Sequence, residues 1–149
     1  MATRAQFLDG TYGSAWNTSK RSLVRFEIWR NQISFTTLSA SINDVFQAIQ
    51  VPADTWIMHA WLRVITACAT GVNGDLGYGS DPDKWGQFLK LTATGVISGQ
   101  HQESSGGGIV ERGVNEPFHF SSDDTIDLKL NKAATSGVVE VCALALRSK

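Results

Sequence analysis

The sequence predicts an all-β fold: a single β-sandwich or jelly-roll-like domain preceded by an extended N-terminal arm. Three observations predict it. Short stretches alternate apolar with polar residues, Gly-, Asn-, Asp- and Pro-containing turns separate them, and no long run keeps helical spacing. The 149 residues suit one domain, and 42% hydrophobic with 18% charged residues suits a packed core rather than a disordered chain.

Residues 1–21 read as the arm, because Gly, Ser, Thr and Asn surround isolated Phe7, Tyr12 and Trp16 without any strand or helix period. The domain then spans 22–149. In its first strand Val24, Phe26 and Ile28 face one way and Arg25 and Glu27 the other; Asn31 suggests a tight turn into a second strand carrying Ile33 and Phe35. Residues 41–50 fit either a short helix or a strand, and Pro52 ends the element in both readings. The clearest strand runs from about Thr55 to Ala69. Trp56, Met58, Ala60, Leu62 and Val64 form its apolar face; Ile57, His59, Trp61, Arg63 and Ile65 form a mixed face suited to another subunit or a covering loop.

Gly71 to Gly74 reads as a turn, Asp75 to Gly79 as a short strand, and Ser80 to Gly86 as turn chemistry. Phe88 to Thr94 and Val96-Ile97 are extended, followed by a Gly-rich loop at 98–108. Ile126, Leu128 and Leu130 alternate inward. The closing run Val138 to Leu146 is apolar at nearly every position except Glu140, as in a strand central to a sheet or covered by a partner.

Charge and motifs remove several function classes. The chain carries 13 Lys and Arg against 14 Asp and Glu, so no basic field recruits nucleic acid or a membrane surface. The balance is uneven, however. Arg4, Lys20, Arg21, Arg25 and Arg30 face only Asp9 and Glu27 in the first thirty residues, and the body is weakly acidic. A basic arm of this kind suits an acidic surface, including that of another copy. No apolar stretch approaches the length of a membrane helix, and Met1 to Gln6 runs into Asp9 and Gly10 rather than a secretory leader's apolar core.

Cys68 and Cys142 lie in apolar surroundings and read as buried free thiols, with a disulfide between them left open. His59, His101 and His119 are scattered, with no metal-ligand spacing, so no metal or cofactor is expected. No nucleophile elbow, zinc-protease helix or phosphate loop occurs, and no enzyme is expected. Asp81-Pro82-Asp83 reads first as a turn and second as an ion site. The five tryptophans suit a core or an interface better than a sugar platform.

The stretch Asp44 to Ile57, the long strand ending Arg63 to Ala67, the Gly77 to Trp85 segment with its Asp81-Pro82-Asp83, and the closing Asp124–Leu128 and Ala134–Val141 together resemble small virion proteins of tailed bacteriophages. The likeness spans about residues 32–147. Lys84 stands where those proteins carry Gly, the 99–116 insertion is longer than theirs, and the arm has no counterpart. The resemblance implies a capsid decoration (cement) protein made in the host cytoplasm. It would seat as a homotrimer on the outer surface of the phage head, against the major capsid protein. It further implies that Arg4, Phe7, Tyr12, Trp16, Lys20 and Arg21 reach over neighbouring capsid subunits. Ile57, Trp61 and the C-terminal strand, with Val138, Glu140 and Leu144, would pack the trimer. The alternative is a tail or fibre module that binds a host-surface glycan through a loop containing Asp81, Asp83, Trp85 and His101.

Overall fold

A computed structural model of the chain describes residues 24–98 and 116–148. Nine strands make up its regular structure: β1 (Val24–Ser34), β2 (Val45–Val51), β3 (Thr55–Thr66), β4 (Asn73–Tyr78), β5 (Asp81–Lys90), β6 (Gly95–Ile97), β7 (Phe118–Phe120), β8 (Asp124–Leu130) and β9 (Val138–Ser148). No helix occurs among the described residues. The arm, with Arg4, Phe7, Tyr12, Trp16, Lys20 and Arg21, lies outside them, as does His101.

Two antiparallel sheets pack face to face. One has the order β1-β9-β3, with β6 and β7 sharing the far edge of β3; the other has the order β2-β8-β4-β5. The pairings β1·β9, β2·β8, β3·β6/β7 and β4·β5 are the rungs of one long hairpin. Rolled up, that hairpin brings β9 against β3 and β8 against β4, which is jelly-roll winding. The core lies between the sheets, where Ile57, Leu62, Leu76, Trp85, Ile126, Leu128 and Leu130 are fully buried.

Several local readings change. Asn31 sits inside one continuous strand rather than in a turn: β1 pairs with β9 through eleven successive positions without a register shift. Its side chain instead donates to the Ala48 carbonyl of the facing sheet at 2.7 Å. Residues 45–51 are a strand because β8 pairs with them. The 80–86 segment is mostly strand as well: Gly79 and Ser80 alone make the β4–β5 turn, and Pro82 is tolerated because β5 is an edge strand. At Gly77 a Cβ would collide with the backbone of Asp81 and Pro82, so glycine lets the two arms of this hairpin close.

Bulges decide which side chains face out. The β3–β9 register slips at Met58 and again at Ile65. Thr55 and Ile57 point inward before the first slip; Ala60, Leu62 and Val64 point inward after it. Trp56 is therefore outside and Ile57 inside, the reverse of strict alternation from Ala60. A second irregularity lies in β5, where Phe88 adopts φ 52° and its N–H donates to Asp75 Oδ1 at 2.8 Å. Asn131 Nδ2 donates to the same oxygen at 2.7 Å, so the buried Asp75 carboxylate ties the β5 bulge to the end of β8.

Candidate functional site: the outer face of the first sheet

The register of β1, β9 and β3 lays outward side chains in cross-strand rows. Phe26, Leu146 and Trp56 form one row, continued by His119 on β7; Ile28, Leu144 and His59 form the next; Arg30, Cys142 and Trp61 the third. Phe26 is 66% exposed, Ile28 54% and Trp56 44%. Strands normally turn such residues toward a core, so a contiguous apolar and aromatic patch on an outer sheet face makes this face the candidate contact surface. Two ring pairs stiffen it. Trp56 lies 4.9 Å from His119, and His59 stacks on Trp61 at 5.8 Å with an interplanar angle of 14°. Hydrogen bonding fixes the second pair further, because His59 Nε2 is 2.6 Å from Ser98 Oγ.

Beyond the apolar rows the face becomes polar. Glu140 is buried and lies 3.8 Å from Arg63 Nη1, and its other oxygen accepts from Gln32 Nε2 at 3.4 Å. Cys142, a buried free thiol like Cys68, lies 3.5 Å from Glu140 Oε2. Burial, reinforced by the Glu140 charge, pushes the Cys142 thiol up to about 11, so it is a packing group and a poor nucleophile.

Among the residues expected to pack subunits, Trp61 and Leu144 lie on this face, with Glu140 and Val138 along the same strand. Ile57 does not: the Met58 bulge turns it wholly into the core. Phe26, Ile28, Trp56 and Leu146 were not expected there. The available signal is parity. Trp29, Ile33 and Phe35 share an odd-numbered inward phase, and in one unbroken strand that phase sends Phe26 and Ile28 outward.

Of the residues expected in a glycan loop, Asp81, Asp83 and Trp85 are described and His101 is not. Trp85 is fully buried, in an aromatic cluster with Tyr78 (6.1 Å) and Phe120 (6.4 Å), and Phe118 completes the cluster 4.5 Å from Tyr78. Asp81 and Asp83 lie on β5, and among the described residues no group of His, Cys, Asp and Glu could hold a metal ion.

The second sheet's outer face is polar. Gln47, Gln50, Pro52, Asp123, Asp124 and Thr125 line a shallow cleft of about 490 Å³ there. Nearby Asp127 is buried, and burial raises its pKa; the Asp124 charge adds to the rise, whereas the 2.6 Å hydrogen bond from Thr125 Oγ1 opposes it. The folded chain therefore holds this proton more tightly than the unfolded chain does. Ionised Asp127 costs stability at neutral pH, and the cost is relieved as pH falls through its folded-state pKa toward the ordinary 3.8. Asp127→Asn keeps an acceptor for Thr125. It is expected to raise Tm at neutral pH and to remove the gain in stability that wild type makes as pH falls through the folded-state pKa of Asp127, so the variant's advantage shrinks on acidification.

No protein-family model matches the sequence, and no curated protein matches it. A solved structure shares the fold. A chain of the cyanophage Pam1 capsid asymmetric unit is similar with a TM-score of 0.60 at 9% identity, over 91% of this chain and 99% of that one. A chain in the acidic stable capsid structure of Helicobacter pylori bacteriophage KHP30 is similar with a TM-score of 0.43 at 8% identity, over 83% and 92% respectively.

Proposed function

We propose that the protein is a structural component of a phage particle: a capsid decoration protein that sits as a homotrimer on the outer surface of the head and binds the major capsid protein. The observation that carries this reading is the exposed apolar face of Phe26, Ile28, Trp56, Leu144 and Leu146. It belongs to a chain whose fold, over nearly the full length of both, is that of a chain in a phage capsid asymmetric unit. Large outward aromatics without a partner are costly in an isolated protein and useful in one that works by assembly.

The protein acts by binding and does no catalysis. A ligand that binds the assembled lattice but not its dissociated subunits stabilises the lattice by about 2.7 kcal/mol per site at a hundred times Kd. Trp56, Trp61, Leu144 and Leu146 pack the three copies together, and the N-terminal arm, with its bases and aromatics, reaches the capsid subunits. The glycan-binding reading has lost its main support, because Trp85 offers no surface to a sugar.

The test adds purified protein to expanded heads that lack it. Saturable co-sedimentation and a rise in the temperature at which the heads rupture are expected. Heads that rupture unchanged, with no bound protein, would sink the proposal. Deleting residues 1–21 is expected to weaken binding while leaving the cooperative unfolding of the sandwich intact.

A further inference from the structure

Sheet edges are templates for further strands, and proteins guard them with prolines, bulges, charges or short length. Three of the edges here are guarded. On β5, Pro82, two register shifts and the φ 52° of Phe88 interrupt the strand. A register shift interrupts β2, and Pro52 follows its end. At the far side of β3, β6 and β7 have three residues each.

The edge formed by β1 has only the charges of Arg25, Glu27 and Arg30 as a guard, and nothing interrupts it. It runs eleven residues with no proline, glycine, bulge or positive φ, in a ladder with β9 that never slips. Its second side has no strand partner among the described residues. Beside that open edge stand the two exposed side chains Phe26 and Ile28.

We propose that β1 pairs antiparallel with β1 of a second copy about a two-fold axis through Phe26, joining the first sheets of two molecules into one. This rests on the decoration reading, in which the contact would link neighbouring trimers. The sequence of β1 selects both occupant and register. Centred on Glu27, self-pairing sets two carboxylates opposite each other, which is destabilising. Centred on Ile28, it sets Glu27 against Trp29 and Phe26 against Arg30, and no charge is matched.

Centred on Phe26, Arg25 of each copy lies opposite Glu27 of the other, twice, while Phe26 meets Phe26 and Ile28 extends the apolar row. The strand is prepared for this arrangement. Trp29 Nε1 donates to Glu27 Oε2 at 2.9 Å, which holds the carboxylate beside its own strand and leaves Oε1 for the incoming guanidinium. An isologous contact needs only one self-complementary strand, and such two-fold contacts are the commonest among homo-oligomers.

The test uses full-length protein in the Trp56→Glu background, where the three-fold contact is removed. Sedimentation is expected to find a dimer. Arg25→Glu or Glu27→Arg alone should weaken dimerisation at least tenfold, since each sets like charges opposite one another at both pairs. The double swap should restore it, and so should mixing the two single variants, because their charges then match across the axis. Single cysteines placed along positions 25–28 should form intermolecular disulfides best at Phe26→Cys. A monomer in this background, a double swap that does not rescue, or cross-linking without a maximum at 26 would overturn the proposal. Head binding is measured separately, so failure here and failure of the decoration reading are distinguishable.

Discussion

Trp56→Glu is expected to abolish three-fold association and to lower the affinity for phage heads by at least about thirtyfold, the equivalent of about 2 kcal/mol. The indole is nearly half exposed and borders Leu146 and His119 at the centre of the apolar face. A carboxylate there must be desolvated whenever that face is covered, and nothing cationic on its own row would pair with it except His119 when protonated. The fold should tolerate the change, because the side chain points away from the core. Tm within a few degrees of wild type, together with loss of the trimer by sedimentation, is the expected pair of results. Unchanged assembly would show that the outer face is not the contact.

Trp85→Ala is expected to act in the opposite manner, through stability rather than assembly. Emptying this site should cost about 3–5 kcal/mol and lower Tm by roughly 10–20 °C. Trp85 on the second sheet meets Phe120 on the first, so its ring helps to clamp the two sheets together as well as filling volume. Its buried indole N–H has no hydrogen-bond partner among the described residues, and Trp85→Phe gives up only that group and part of the ring. The phenylalanine variant should therefore lose much less. A stable Trp85→Ala protein with altered surface binding would contradict the core assignment.

Alternation made much of the architecture legible. Ile126, Leu128 and Leu130 face inward on β8 as their spacing requires, and the apolar closing run is central, flanked by β1 and β3. Irregularities broke the inference. A bulge adds one residue without any distinctive composition, so nothing in Trp56-Ile57-Met58-His59 announces that the inward phase changes there. Splitting β1 at Asn31 had a larger effect. It detached Phe26 and Ile28 from the phase set by Trp29, Ile33 and Phe35, and so hid the exposed half of the site. Trp85 lies in the core, the place the sequence favours for its tryptophans, but the segment that carries it reads as a turn for another reason: aspartates and a proline look like turn chemistry, although an edge strand accommodates them. Trp61 and Leu144 were legible because beyond the bulge the alternation of β3 and β9 is regular.

Electron cryo-microscopy of expanded heads, with and without the added protein, tests the structural role most directly. The account predicts extra density on the outer surface, repeated at lattice positions and shaped as three β-sandwiches with their first-sheet faces in contact. Heads whose surface density is unchanged at saturating protein would contradict it.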